Sequence, residues 1–124
     1  MQGASYTKRI ENYEKPVGAG MSIHIPFRSQ FKDAMLSGQK TCTSRNKKYG
    51  DVGDIFGAFG RWFVITKVRQ EKLTTVSHFL YREEGFNRSS EFMDCWNQIH
   101  PRKGYDSEQI VWVHIFKLED KDAK

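Results

Sequence analysis

The sequence lacks most of the features by which a chemical function is usually recognised. It has only two cysteines, Cys42 and Cys95, and none of its four histidines has the spacing of a metal site. It contains no P-loop, no dinucleotide-binding fingerprint, and no apolar run long enough for a membrane span or a signal peptide. These absences argue against a disulfide framework and a membrane segment. We therefore expect a cytoplasmic protein with reduced thiols, no metal and no cofactor.

The chain does contain enough apolar residues for one folded domain. Its 124 residues are 38% hydrophobic and 14% aromatic, which is enough for a single core. The formal net charge of +5 favours an anionic partner such as a nucleic acid or a nucleotide. An ordinary solubilising surface explains a charge of this size equally well.

The sequence divides into one domain and two tails. Residues 1–20 mix charges of both signs, show no apolar period and end in a stretch rich in proline and glycine, which predicts a flexible N-terminal tail. Residues 21–118 show regular apolar periodicity, so we assign the domain to them. Residues 119–124 are predicted to be a short polar C-terminal tail.

Apolar periodicity within residues 21–118 predicts an α+β domain. The expected elements are a short strand at residues 22–25, a helix that Gly38 ends, strands at 40–45, 55–59 and 62–68, short helices near 76–80 and 92–99, and a last strand at 110–118. A two-residue turn at Gly60-Arg61 would join the third and fourth strands. Both faces of the last strand are apolar, so it is expected to be central. This order predicts a curved β-sheet or barrel with flanking short helices.

The segment between the first helix and the next strand carries most of the chemistry. It reads Ser37-Gly38-Gln39-Lys40-Thr41-Cys42-Thr43-Ser44-Arg45, so three hydroxyl side chains lie between two cations. A threonine hydroxyl becomes a nucleophile when a neighbouring base takes its proton. A lysine is such a base in its neutral form, which burial or a nearby positive charge favours. On a regular strand Lys40 and Thr43 point to opposite faces, so the two meet only if the strand begins irregularly.

An acid is also needed, to protonate the amine that leaves. Glu83 and Glu84 are the candidates, because they lie in the turn between the last two predicted helices. Arg45 has a planar fork of donors that suits a phosphate, a carbonyl or a base edge. Each residue also has an ordinary explanation: Lys40 as a solvated cation, the threonines as strand formers, Arg45 as a surface ion-pair partner, and the glutamates as a polar turn. The functional interpretation rests on their occurrence together.

Gly38, Lys40 and Arg45 form the pattern G-x-K-x-x-x-x-R. A polar, glycine-rich loop, a predicted hairpin, the glutamate turn and a helix before Pro101 follow it in order. In this motif and this order, residues 21–118 resemble the ASCH domain family. The resemblance implies a PUA-like β-barrel with flanking helices, a cleft lined by the motif, and RNA or nucleotide ligands.

One branch of that family is similar in length and motif: the small bacterial amidohydrolases that cleave N4-acetylcytidine to cytidine and acetate. By this resemblance, the catalytic lysine is Lys40, the catalytic threonine is Thr43 and the catalytic glutamate is Glu84, with Glu83 adjoining it. The expected substrate contacts in the cleft are Gly38, Thr41, Arg45 and Glu83.

Two functions are therefore open. In the first, an amidohydrolase, Lys40 takes the proton of Thr43, Thr43 attacks the acyl carbonyl, and Glu84 protonates the exocyclic amine. The second is a non-catalytic RNA-binding or nucleotide-binding module, with phosphate contacts from Arg45, Lys47, Lys48, Arg61 and Arg82. A ribonuclease is a third possibility, which no histidine pair supports. The hydroxyl and the acid beside the cations favour the enzyme, and we expect a monomer acting on a nucleoside or RNA ligand.

Overall fold

The computed structural model of the protein describes residues 20–119. Apart from Gly20 and Glu119, the two predicted tails lie outside the described residues. A 3-10 turn, Ser29–Phe31, leads directly into the first α-helix. The elements in chain order are β1 (Ser22–Ile23), α1 (Lys32–Ser37), β2 (Cys42–Arg45), β3 (Ile55–Ala58), β4 (Arg61–Lys72), α2 (Leu73–Phe79), α3 (Ser89–Ile99) and β5 (Ile110–Leu118).

The strands form one mixed sheet in the order β1-β3-β4-β5-β2. β1 pairs parallel with β3, and the other neighbours pair antiparallel. The predicted α+β class is therefore confirmed, and β5 is an interior strand, as its two apolar faces predicted. β4 has 12 residues and a register shift between Ile65 and Lys67. A bulge of this kind bends a long strand and increases its twist, which lets the sheet curve.

Two hydrophobic clusters cover the two faces of β5. Phe116 belongs to the first cluster, which also contains Phe56, Phe63 and Met35 of α1. Val111 and Val113 belong to the second, which packs against α2 and α3. Alternation along one strand thus fills both layers of the core, because successive side chains point to opposite faces. Burial of a large apolar side chain stabilises the fold by about 1.5–3 kcal/mol.

The chain enters the motif segment through a left-handed residue. Gly38 ends α1 with φ +89°, a conformation that glycine adopts without steric cost. The amide of Lys40 then donates to Ala34 O at 2.9 Å, so β2 begins only at Cys42. The predicted strand at 40–45 is therefore two residues too long at its start. The amides of Thr41 and Cys42 donate instead to Glu83 O, at 2.8 and 3.1 Å, which ties the glutamate turn to this segment.

The hairpin between β3 and β4 turns one residue earlier than the sequence predicted. Ala58 pairs with Arg61, so the two turn residues are Phe59 and Gly60, and the prediction of Gly60-Arg61 is wrong. Both have positive φ values, 54° and 80°, as a type I′ turn requires. A phenylalanine in that conformation is unusual, which is why residue preferences pointed to the next pair.

Candidate active site

One cavity of about 500 Å³ opens beside β2. Its polar floor and wall come from the motif segment and the glutamate turn: Lys40, Thr43, Ser44, Arg45 and Glu84. The remaining wall is mostly aromatic and comes from the segment before α1, the loop after β2, and α3. The cavity therefore combines a flat apolar lining with a small set of convergent polar groups, as ligand sites commonly do.

Lys40 and Glu84 form a buried ion pair on the floor of this cavity. Their side chains are 2% and 5% exposed, and Lys40 Nζ lies 3.3 Å from Glu84 Oε1. Lys40 Nζ also donates to the main-chain oxygens of Cys42, at 2.9 Å, and Glu84, at 2.7 Å. All three protons of the ammonium thus have an acceptor, which balances the cost of burying its charge. The Phe31 ring, centred 4.6 Å from Nζ, covers the cation further.

The contact between Lys40 Nζ and Glu84 Oε1 is also a path along which a proton would pass between the two side chains. Transfer from Lys40 Nζ to Glu84 Oε1 turns a cation and a carboxylate into a neutral amine and a carboxylic acid. The first is a base and the second is an acid, and both face one cavity.

Thr43 lies on the same cavity, and its hydroxyl is held by Arg45. Arg45 Nε donates to Thr43 Oγ1 at 3.0 Å, and Arg45 Nη2 donates to Pro26 O at 2.7 Å. The guanidinium packs against the rings of Phe27 and Tyr49, with centroid distances of 5.1 and 5.4 Å. Burial lowers the pKa of Arg45. Among residues 20–119 no hydrogen bond joins Lys40 to Thr43, although both line the cavity.

Ser44 is a polar residue of the site that sequence reasoning left out. Its hydroxyl donates to Glu84 Oε2 at 2.6 Å, and Ser44 is 6% exposed. The carboxylate of Glu84 is therefore bonded on both oxygens, to Lys40 on one and to Ser44 on the other. In the sequence, the only signal for Ser44 is its place in a short run of hydroxyl residues. Alternation along a strand does not identify a partner 40 residues away.

His114 hydrogen-bonds to the main chain of two residues that line the cavity, Thr43 and Tyr49. It is fully buried on β5, its Nε2 accepts a hydrogen bond from the Tyr49 amide at 2.9 Å, and its Nδ1 donates to Thr43 O at 3.3 Å. These contacts specify the neutral Nδ1–H tautomer. Burial lowers the pKa of His114, and the charge of Arg45 lowers it further.

Both cysteines remain protonated thiols near the site. Burial raises the pKa of Cys42 well above its usual range, and the charge of Glu84 raises it further. Burial also raises the pKa of Cys95, which lines the cavity. Since the thiolate is the reactive form of cysteine, neither side chain is suited to act as the nucleophile.

The structure separates the predicted site residues into two groups. Lys40, Thr43, Arg45, Lys47 and Glu84 line the cavity. The others lie outside its lining: Gly38, Thr41, Lys48, Arg61, Arg82 and Glu83. The two neighbouring glutamates differ sharply, since Glu84 is buried at the floor whereas Glu83 is exposed and contributes only its main-chain oxygen to β2.

The aromatic wall is the largest part of the site that the sequence did not reveal. Phe27 and Phe31 stand before and at the start of α1, and Tyr49 belongs to the polar loop after β2. Trp96 and His100 come from α3 and its C-terminal end, with ring centroids 4.3 Å apart. Helical spacing in the sequence does not show that a buried ring such as that of Trp96 also borders a cavity.

Between residues 20 and 119, no three histidine, cysteine or acidic side chains are grouped so that they could hold a metal ion. None of the helices in that range has the length and apolar character needed to cross a membrane.

The arrangement of strands, helices and cleft defines a small α+β domain of the PUA-like type. Solved structures with this arrangement include an ASCH domain from Lactobacillus crispatus JV V101, with a TM-score of 0.64 and 12% identity over 90% of this chain and 89% of that one. A DUF984 protein from Enterococcus faecalis V583 has a TM-score of 0.56 and 15% identity over 95% and 92% of the two chains. A tyrosine-to-phenylalanine variant of an ASCH protein from Zymomonas mobilis has a TM-score of 0.51 and 13% identity over 83% and 78%.

The protein therefore has the fold of an ASCH domain, as the sequence resemblance predicted. At these identities the likeness concerns the fold alone. No protein-family model matches the chain, and no curated protein is significantly similar to it.

Proposed function

We propose that this protein is a metal-independent amidohydrolase that removes the acyl group from a modified cytosine nucleoside such as N4-acetylcytidine. The observation that carries the proposal is the buried Lys40–Glu84 pair, 3.3 Å apart, which shares a cavity with the hydroxyl of Thr43. Base, nucleophile and acid of an acyl transfer are thereby present together.

The first half of the reaction uses the redistributed proton of the pair. Lys40, having passed a proton to Glu84, takes the hydroxyl proton of Thr43, and Thr43 Oγ1 attacks the acyl carbon. This requires Lys40 Nζ to exchange one of its present acceptors for Thr43 when substrate is bound. The C–N bond then breaks, Glu84 gives its proton to the exocyclic amine, and the nucleoside leaves. The acyl group remains as an ester on Thr43.

The second half returns the groups to the state in which Lys40 had passed its proton to Glu84. The Glu84 carboxylate takes a proton from water, and the resulting hydroxide attacks the ester carbon. Thr43 leaves and recovers a proton from the Lys40 ammonium. The carboxylic acid product is released, and Lys40 and Glu84 are both uncharged again. Arg45 already donates to Thr43 Oγ1, and its other N–H groups are suited to stabilise the developing oxyanion.

The size and lining of the cavity fit a nucleoside. A volume of about 500 Å³ lies within the range of roughly 300–1,000 Å³ that is usual for ligand pockets. Its aromatic rings offer flat apolar surfaces on which a planar base can stack. Cys42 and Cys95 are free, buried thiols, which agrees with a reducing compartment, so we include a cytoplasmic location in the proposal.

The proposal is tested by incubating the protein with N4-acetylcytidine and separating the products by chromatography. Wild type is expected to release cytidine and acetate, and Thr43→Ala is expected to lose the activity while remaining folded. Thr66→Ala is the matched control, because Thr66 is an exposed strand threonine that lies outside the cavity lining and whose hydroxyl donates to Ile115 O. Full turnover in Thr43→Ala would refute the assignment of the nucleophile, and no turnover by wild type would refute the activity.

A second candidate function, an RNA-binding or nucleotide-binding module, is supported by the charge around the cavity. Arg28 and Lys47 are exposed and line the cavity together with Arg45. Glu84 is the only acidic residue among the described residues of the lining, and Lys40 already balances its charge. The cavity therefore has a net positive charge, which suits a ligand that carries phosphate.

A further inference from the structure

The carboxylate of Glu84 has a second partner whose role the reaction above leaves open. Ser44 Oγ lies 2.6 Å from Glu84 Oε2, whereas the contact from Lys40 Nζ to Oε1 is longer, at 3.3 Å. Ser44 is 6% exposed and Glu84 is 4% exposed, so water does not compete freely for either group. Both line the cavity.

This hydrogen bond favours one protonation state of Glu84. A hydroxyl that donates to a carboxylate stabilises the ionised form, and distances of about 2.5–2.7 Å are typical of such charge-assisted bonds. Because Ser44 and Lys40 hold different oxygens, they also fix the plane of the carboxylate. The oxygen that faces Lys40 is thereby kept in position to receive a proton from it.

We propose that Ser44 is a positioning residue that orients Glu84 and keeps it ionised until Lys40 transfers its proton. The inference rests on the proposed function. It adds an explanation of how the protonation of the Lys40–Glu84 pair is controlled. An additional proton on Glu84 while Lys40 remains an ammonium would leave the site without a base. Lys40, Arg45 and the Cys42 thiol also face Glu84. Ser44 adds to them by opposing that state, so it contributes to the pH at which turnover is lost on the acidic side.

The test compares three variants with wild type. Ser44→Ala removes the hydroxyl, and Ser44→Thr retains it on a residue that suits a strand. Ser77→Ala is the matched control, since Ser77 is a fully buried serine that bonds to Tyr105 at 2.7 Å, away from the cavity. If Ser44→Ala fails to fold, Ser44→Cys gives the same comparison with a similar volume and a weak donor.

Two readouts are needed, and the first does not depend on activity. Carbon-13 NMR of the Glu84 side-chain carboxyl gives the midpoint of its titration, and the pH dependence of N4-acetylcytidine hydrolysis gives the acidic limb. In Ser44→Ala the Glu84 midpoint and the acidic limb are both expected to move to higher pH by about one pH unit, because one hydrogen bond to a charged group is lost. Ser44→Thr is expected to restore both, and Ser77→Ala to move neither.

The possible failures are distinguishable. An unchanged Glu84 midpoint in Ser44→Ala would overturn the inference even if wild type is fully active. A wild type that releases no cytidine would overturn the proposed function, while the NMR titration would still decide the effect of Ser44 on Glu84. Complete loss of turnover in Ser44→Ala, with the acyl group found on Ser44 in wild type by peptide mass spectrometry, would show that Ser44 is the nucleophile and would overturn the positioning role.

Discussion

Gly85 packs directly against the aliphatic part of Lys40. A Cβ atom on Gly85 would lie 3.3 Å from both Cβ and Cδ of the lysine, closer than ordinary van der Waals contact. Gly85 also has φ +103°, a conformation that side chains rarely adopt. The residue after Glu84 thus has no side chain, and this allows Lys40 to lie against the turn that carries its partner.

Substitution of this glycine should damage the site as well as the fold. Gly85→Ala is expected to destabilise the protein by about 1 kcal/mol or more through its positive φ, and to lower kcat by displacing Lys40. Gly38→Ala provides the comparison, because Gly38 also has a positive φ but a Cβ there would meet no atom within 4 Å. Urea denaturation and steady-state kinetics of both variants check this. Equal losses of kcat would contradict the importance of the Gly85–Lys40 contact.

Removal of one partner of the buried Lys40–Glu84 ion pair should lower the free energy of unfolding more than removal of both charges does. Lys40→Met leaves the Glu84 carboxylate buried without its cation, although Ser44 still donates to it, and such unpaired charges cost about 3–5 kcal/mol. The double variant Lys40→Met/Glu84→Gln removes the charge and is expected to recover most of that stability while remaining inactive. Urea denaturation at neutral pH measures both free energies of unfolding. A double variant no more stable than Lys40→Met would show that the two residues are not coupled.

Acid should destabilise the protein through His114. Burial lowers its pKa below the ordinary value of 6.5. As the pH falls through 6.5, the unfolded chain therefore binds a proton before the folded protein does. The free energy of unfolding is fully retained above that pH and decreases below it, by at most about 1.4 kcal/mol per pH unit for one group.

Denaturation of wild type and His114→Gln at pH 7.5 and pH 5.5 checks this. The variant is expected to show a smaller loss between the two, with a remainder from His100, whose pKa burial also lowers. His24→Gln is the control, because His24 is exposed. If His114→Gln does not fold, NMR titration of the wild-type imidazole gives its midpoint directly. A midpoint at or above 6.5 would contradict the expectation.

Adjacent lysines should differ in their effect on nucleic-acid binding. Lys47 lines the cavity, whereas Lys48 lies outside it and bonds to Asp51 at 2.7 Å. If the protein binds single-stranded RNA, Lys47→Ala should lower the affinity and reduce the slope of its salt dependence by roughly 0.7. Lys48→Ala should change the slope less. Titrations at several salt concentrations measure both, and equal slopes for the two variants would show that the cavity is not the RNA site.

Features set by residues close in sequence were predictable. The two apolar faces of residues 110–118 correctly predicted an interior strand, and Gly38 was correctly placed at the left-handed end of α1. The start of β2 was not predictable, because Glu83 O accepts the amides of Thr41 and Cys42 from a distant turn. Periodicity describes which face of an element is apolar, but it carries no information about such partners.

The sequence predicted which residues form the candidate site better than it predicted how they are arranged. The motif and the family resemblance identified Lys40 and Thr43, both of which line the cavity, but their side-chain hydrogen bonds join them to Glu84 and Arg45 and not to each other. In a turn, no alternation rule decides which of two adjacent glutamates is buried. The hydrogen bond of Ser44 to Glu84 spans 40 residues, and only the folded structure reveals it.

β2, the strand that carries Thr43, pairs with β5, and Thr43 O bonds to His114, which lies 71 residues further along the chain. Loop closure over such a distance is slow compared with local contacts. During synthesis the ribosome releases β2 long before β5. A nascent chain that ends before β5 therefore has every residue of the Lys40–Thr43–Glu84 set but lacks the strand against which they are ordered, so activity should appear abruptly when the last strand emerges.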